Sequence, residues 1–348
     1  VSRTDGAPAA IADVTSPASI EGAETPGPAP VASVVIPTRD RRTSVLRTVS
    51  AIRAVVPADG RLEIIVVDNG SADGTPVAVE AWARRDEGGL RLVEERRPGR
   101  GAACDRGARL ARGRILILLD DDMEPGPGWL ESHVAHHEHH GFGVVGAAPS
   151  AGRARRAAGR YLQDRFDRHL TKLERSGIGT VRDVYTGNFS IERSRFLEVG
   201  GFDPAFVDYG GEDGELAARL LATGTTLIFA ADAVARQHQE KDLHSAVRDA
   251  RSKGRNAVLL ARRHPEVVPT LAFSRPGSRH RRAVRRPIGW VLRSAPRSIR
   301  LLEPVVEALD RLAPGLARRG IELVLDAAYA IGVRDAVAAP SDVAARSA

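Results

Sequence analysis

Cysteine is almost missing from this chain: Cys104 stands alone among 348 residues. One thiol excludes an internal disulfide and any cysteine-rich zinc site, and it fits a reducing compartment. Long apolar runs are missing too. No stretch nears the ~20 apolar residues that a helix needs to cross a bilayer. The first residues lack the charged-then-apolar order of a secretory signal, so a cytoplasmic protein is expected. Aromatic residues make up only 4%, too sparse for a base-stacking surface, and no nucleic-acid module is present. Charge is not balanced: the net +7 suits anionic partners such as nucleotides, sugar phosphates or an acidic membrane surface.

What is there is organised around Arg114-Ile115-Leu116-Ile117-Leu118-Leu119-Asp120-Asp121-Asp122. An uninterrupted apolar run of this length reads as a strand buried on both faces, as in a parallel sheet. Three carboxylates cannot share that interior, so they emerge at the strand's carboxyl end, where open α/β sheets bind ligands. Packed acids repel unless a cation joins them. Mg²⁺ is characteristically held by one or two carboxylates together with substrate phosphates. The competing reading is a solvated acidic turn.

The flanking chain repeats one pattern. Ala32 to Pro37, Leu62 to Val67 and Leu90 to Val93 read as strands, each followed by a polar loop and a helical stretch. Such alternation predicts an α/β fold with a mostly parallel, Rossmann-like sheet flanked by helices. Gly99-x-Gly101 in the basic loop Arg96 to Gly101 is not a dinucleotide fingerprint, because the next glycine is Gly107. Its glycines and cations do suit a phosphate or base edge. Trp129 to His140 reads as a helix, with His133, His136, His137 and His140 on one face. A solvated face is favoured there over a transition-metal site. Residues 150–177 read as an arginine-rich insertion over the site. A helix opens near Glu212-Asp213 and closes at Gly224, and Leu227 to Phe229 is a strand leading to His238. The expected organisation is a disordered leader over 1–30, a catalytic domain over 31–240, a basic helical extension over 241–338 and a frayed tail over 339–348.

Val34-Val35-Ile36-Pro37-Thr38-Arg39, Val66-Val67-Asp68-Asn69-Gly70-Ser71, Leu118-Leu119-Asp120-Asp121-Asp122 and Gly211-Glu212-Asp213 follow one another in an order that resembles the family 2 glycosyltransferases. Gly187-Asn188-Phe189-Ser190 and a trailing His238 add to the likeness, which covers about Ala32 to Gln239. The segment Gly200-Gly201-Phe202-Asp203 to Asp213 also resembles galactosyltransferase-like domains. The resemblance implies the GT-A fold, a nucleotide-diphospho-sugar donor, a Mg²⁺ or Mn²⁺ cofactor, and inversion at the anomeric centre. It implies that Pro37, Thr38, Arg39, Asp68, Arg100, Asp120 and Asp121 meet the nucleotide-sugar. Asp122, with Asp120 and His238, would hold the metal. Asp213 would be the general base and Glu212 its neighbour, touching the acceptor or orienting the base.

The chemistry agrees with those residue types. A departing nucleoside diphosphate gathers negative charge, which cations stabilise, and an attacking hydroxyl needs a carboxylate within hydrogen-bond reach. One departure stands out: Cys104-Asp105 occupies the place where the family usually has Arg-Asn, leaving Arg100 or Arg106 to supply the cation. Cys104 is expected to be inert. The acceptor is an unspecified hydroxyl on a glycan, lipid-linked compound or small natural product. The arginines from Arg275 to Arg300 read as a solvated surface or as one for anionic lipid. The rival functions are a sugar-phosphate nucleotidyltransferase, which needs a glycine- and arginine-rich loop after the first strand, and a non-catalytic scaffold working through its basic tail.

Overall fold

The computed structural model describes residues 29–86, 89–138, 142–271 and 299–339. The expected leader except its last two residues, the arginines from Arg275 to Arg297, His139 and His140, and the tail beyond residue 339 lie outside the described residues. The first half is built as β1 (Ala32–Thr38), α1 (Arg42–Val55), β2 (Leu62–Asp68), α2 (Thr75–Ala83), β3 (Leu90–Glu94), α3 (Arg100–Leu110) and β4 (Ile115–Leu119). The second half adds β5 (Met123–Pro125), α4 (Trp129–His136), β6 (Phe142–Gly146), α5 (Ala157–Ser176), β7 (Asn188–Glu192), α6 (Arg193–Glu198), α7 (Glu212–Ala222), β8 (Thr226–Ala230) and β9 (Ala235–Gln237). Three long helices follow: α8 (Leu243–Arg263), α9 (Ile299–Leu312) and α10 (Pro314–Ala338).

Seven strands form the main sheet in the order β3-β2-β1-β4-β7-β6-β8. All neighbours are parallel except where β7 runs against β4 and β6. The mostly parallel sheet flanked by helices is therefore as expected. Every residue of β4 is fully buried, because its side chains alternate into two cores. Leu116 and Leu118 join Val35, Ile65 and Val67 on one face. Ile115, Ile117 and Leu119 join Val34, Ile36 and Ile64 on the other. From β1 the chain moves outward to β2 and β3, then returns to the opposite side of β1 as β4. Helix connections leave in opposite directions there and open a crevice at the carboxyl ends of β1 and β4. Thr38 and Asp120 stand at its mouth.

Three sequence expectations change. Residues 150–177, read as an arginine-rich insertion, are mostly the twenty-residue helix α5. Ala157, Ala158 and Tyr161 pack with Leu243 and Val247 of α8 and with Ile321, Leu325 and Ile331 of α10. The many exposed arginines on α5 hid its apolar period. Packing also continues across residue 240, since Leu260, Val267 and Leu271 belong to the same core cluster as Leu116 and Phe189. The paired strands β5 and β9 went unseen, because three residues are too few to show a period.

The third change concerns α4. His133 and His137 do not face solvent; they are 0% and 1% exposed. The rings pack toward β7, where Ser190 Oγ lies 2.8 Å from both His133 Nδ1 and His137 Nε2, and Asn188 Oδ1 lies 3.0 Å from His133 Nε2. Trp129 meets His133 edge-on, with centroids 5.5 Å apart. Of the described residues of that face, only His136 stays half-buried, 3.2 Å from Asp232. Burial disfavours the charged imidazole and pushes both inner histidines down to about 4.

Two predictions arise from this packing. Helices α8 and α10 approach so closely that a Cβ at Gly332 would strike the Arg251 carbonyl, and one at Gly254 would strike that of Tyr329. Gly332→Ala is expected to lower the unfolding free energy by roughly 1–3 kcal/mol, read from urea denaturation; an unchanged midpoint would contradict the contact. The second concerns acid. In the unfolded chain both histidines titrate near their ordinary pKa of about 6.5, so the unfolded state takes up protons first as pH falls. Their stabilisation is complete above about pH 6.5 and is lost progressively toward about pH 4, by on the order of 3 kcal/mol each at most. Imidazole NMR signals of His133 and His137 that titrate near the ordinary value in the folded protein would refute this.

Candidate active site

The acids after β4 do not share one environment. Asp121 turns inward and is 3% exposed. Its Oδ2 accepts from Thr38 Oγ1 at 2.7 Å, its Oδ1 lies 3.1 Å from Arg41 Nη1, and its backbone carbonyl accepts from Thr48 Oγ1 at 2.9 Å. Burial pushes its carboxyl up to about 7, against the pull of Arg41. Both oxygens are thus occupied within the fold, and the expected direct contact of Asp121 with a nucleotide-sugar gives way to support for Thr38 and Arg41. Burying an acid at this depth demands such partners.

Asp122 is 7% exposed. Its Oδ2 is 3.0 Å from Arg41 Nη2, and Gln237 Nε2 approaches Oδ1 at 3.4 Å. Pairing of β5 with β9 brings in the chain beyond Gln237, and the His238 N–H donates to the Asp122 carbonyl at 2.8 Å. The His238 ring, however, is turned onto Glu124, with Nε2 2.5 Å from Oε2. Among the described residues no three His, Cys, Asp or Glu side chains converge as a ready-made metal cage. A carboxylate just before β5 and an imidazole just after its partner β9 still suit a divalent ion that takes its remaining ligands from a diphosphate.

Asp120 belongs to the opposite wall. Arg100, the first residue of α3, brings Nε and Nη2 to Asp120 Oδ1, each at 2.8 Å. The same guanidinium donates to Thr186 Oγ1 at 2.7 Å and to the Thr186 carbonyl at 2.9 Å. Gly187 is required beside it, since a Cβ there would lie 2.5 Å from Asp120 Oδ2. Of the two cations left open by the sequence, Arg100 is the one that reaches the acids. Asp105 does something else: its buried carboxyl accepts from the Phe202 N–H at 2.9 Å and fixes the turn after Gly200. Burial pushes that carboxyl up to about 6. Cys104 is buried and its thiol is pushed up to about 12, as an inert residue should be.

Asp213 opens α7 in reach of this group. Thr186 Oγ1 donates to its Oδ1 at 2.5 Å, and Arg100 Nη1 lies 3.8 Å away. Its side chain keeps 27% exposure, while burial raises its pKa. Glu212 is 6% exposed and its Oε2 has no hydrogen-bond partner. Burial, aided by the negative charge of Asp213, pushes Glu212 up to about 7.

At the carboxyl end of β2, Asp68 closes the strand with a side-chain turn: Oδ2 accepts from the N–H groups of Gly70 at 3.1 Å and Ser71 at 3.0 Å. Its Oδ1 is buried without a partner. Pro37 is buried in β1, and Arg39 sits on the rim with its side chain 61% exposed. Sequence reasoning missed Arg41, Asn69 and Thr186. Asn69 ties the basic loop down by donating to the carbonyls of Glu95 at 2.8 Å and Arg97 at 2.7 Å. Nothing in the run Arg39-Asp40-Arg41-Arg42 says which arginine turns inward.

Comparison with known proteins agrees with this geometry. The profile of Glycosyl transferase family 2 matches residues 33–200, and that described as N-terminal domain of galactosyltransferase matches residues 178–241. The chain is 27% identical over 276 residues to Validoxylamine A glucosyltransferase of Streptomyces hygroscopicus subsp. limoneus, covering 70% of this chain and 59% of that relative. It is 26% identical over 210 residues to Glycosyltransferase AglE of Haloferax volcanii, covering 59% of this chain and 66% of the other. It therefore spans less than two thirds of the length of either. Among solved structures, the mannosyltransferase PcManGT of Pyrobaculum calidifontis, in complex with GDP-Man and Mn²⁺, superposes with a TM-score of 0.55 at 22% identity, covering 88% of each chain. That likeness establishes the shared GT-A architecture. Strand order, acid-lined crevice and matched segments converge on the GT-A glycosyltransferases, with residues 33–200 matching glycosyltransferase family 2 and residues 178–241 the galactosyltransferase profile.

Proposed function

We propose that this protein transfers a sugar from a nucleotide-diphospho-sugar to an acceptor hydroxyl, with inversion and with the help of a divalent cation. The observation that carries the proposal is the placement of Asp213: partly open, hydrogen-bonded by Thr186, and held across the crevice from the acid cluster by Arg100. Thr186 fixes which oxygen of Asp213 stays free, and burial raises the carboxyl's proton affinity. Both suit a base that takes the acceptor proton. Glu212, pushed up to about 7, orients the acceptor or the base beside it. Pro37, Thr38 and Arg39 border the nucleotide pocket, and the unpartnered Oδ1 of Asp68 accepts from the base or ribose. Arg100 and Asp120 bind the sugar-ribose end of the donor.

Asp122 and His238 would hold Mg²⁺ or Mn²⁺, which would supply charge neutralisation for the departing diphosphate. Asp120-x-Asp122 is then the family's acid motif, with Asp121 as the buried residue between. A sugar-phosphate nucleotidyltransferase is disfavoured, since Pro37-Thr38-Arg39 at the end of β1 does not lead into a glycine-rich loop. A scaffold would have no use for the crevice acids. The single buried thiol suits the cytoplasm. Residues 272–300 carry nine arginines and no acid, which suits peripheral contact with anionic lipid. The acceptor is a hydroxyl compound, either free or lipid-linked.

Asp122→Asn is expected to abolish transfer while leaving thermal unfolding intact, and excess chelator should silence the native enzyme. Activity surviving either treatment would remove the metal-dependent mechanism. Asp213→Asn keeps the size of the base and removes its proton affinity. Turnover should fall by roughly 10²–10⁴-fold with donor affinity nearly unchanged, as measured by calorimetry beside a transfer assay. The native product should carry the anomeric configuration opposite to the donor's; retention would overturn the single displacement, and near-normal turnover of the variant would shift the role to Glu212.

A further inference from the structure

Helix α9 is built inside out. A surface helix normally turns its apolar stripe to the core and its acids to water. Here the acids point inward. Glu303 Oε2 accepts from the Leu243 N–H at the start of α8 at 2.8 Å. Glu307 Oε1 accepts from the Ala157 N–H at the start of α5, also at 2.8 Å. Asp310 Oδ2 lies 2.6 Å from Arg160 Nη2. Two helix N-termini, rich in free N–H groups and positive dipole, and one guanidinium thus latch the acidic face. The other face is left to solvent: Leu301 is 77% exposed, Val305 61% and Leu312 85%, with Leu316 at 57% just beyond. Spacings of four and seven place Leu301, Val305 and Leu312 on one stripe. Single exposed leucines are ordinary, but an aligned row marks a surface that something covers.

We infer that this stripe is the face by which the protein lies on a membrane of anionic lipid, with Leu301, Val305 and Leu312 entering the headgroup boundary. The inference rests on the membrane contact proposed above and names the surface that makes it. Charge selects the occupant. Arg311 and Arg319 stand exposed beside the stripe, and the chain reaching α9 carries nine arginines and no acid over residues 272–300. A second copy docked on the same face would bring these cations against their own images. The chain's own basic segment would meet like charge too. An acidic lipid surface complements both features at once: apolar side chains enter the boundary while arginines meet phosphate.

The test uses the full chain and sedimentation with vesicles of phosphatidylcholine, alone or mixed with phosphatidylglycerol. Native protein should partition onto the acidic vesicles and be released by salt, as attraction is screened. The triple variant Leu301→Ser/Val305→Ser/Leu312→Ser should bind them roughly ten- to a hundredfold more weakly, with its thermal unfolding and its mass in solution unchanged. If the variant binds as tightly as native protein and salt still releases it, the basic segment alone makes the contact and the helix face is refuted. If native protein ignores acidic vesicles, both readings fall. A lower unfolding temperature, or a native dimer that the variant dissociates, would mean that protein already covers the stripe and would overturn the inference.

Discussion

Arg100 holds Asp120 with two nitrogens and Thr186 with two hydrogen bonds, and through Thr186 it is joined to Asp213. Without that guanidinium, Asp120, Glu212 and Asp213 would face one another in a half-buried crevice where water screens them poorly. At an effective dielectric of about 20, two like charges some 4 Å apart repel by about 4 kcal/mol. One cation at the centre turns mutual repulsion into a positioned group. It also joins four pieces of chain distant in sequence: the start of α3, the end of β4, the segment before β7 and the start of α7.

The other half of the acid cluster is resolved by a second arginine. Arg41, from the loop after β1, lies 3.1 Å from Asp121 and 3.0 Å from Asp122. Three consecutive carboxylates are therefore divided between two cations brought by two loops, and the dividing line is the switch point of the sheet. Asp121 sinks beneath the crevice and supports Thr38, leaving Asp120 and Asp122 on either side. This division is a consequence of topology: β1 and β4 are neighbours, so the loops that follow β1 and β3 flank the acids that follow β4.

The sheet was legible because a doubly buried strand needs an unbroken apolar run, and Val34 to Ile36, Ile64 to Val67 and Ile115 to Leu119 supply three. Asp120, Asp122 and Asp213 could be singled out because few structural reasons place acids directly after such runs or behind paired glycines. Arg41, Asn69 and Thr186 could not. Each acts through a contact across 30 or more residues, and its residue type is ordinary for a loop. The histidines of α4 misled for the opposite reason. A polar row on a helix suggests water, and nothing local reveals that Ser190 and Asn188, from a strand more than 50 residues away, satisfy it.

The helices after residue 240 are tied to the chemistry by one asparagine. Gly210 and Gly211 precede the proposed base with φ of +90° and +103°, a conformation that L side chains rarely adopt. Such a turn has no side chains of its own to fix it. Asn256 of α8 does so, donating to the carbonyls of Asp208 at 2.9 Å and Gly210 at 2.5 Å, while Arg255 lies 2.6 Å from the Asp208 carboxylate. Helix α8 is in turn set against α10 at Gly254 and Gly332, where backbones touch. Because neither glycine leaves room for a Cβ, the register between these helices has little freedom to slide. The position of Asp213 is thus specified from two sides: by Arg100 through Thr186 within the crevice, and by the glycine contact of α8 with α10 from behind.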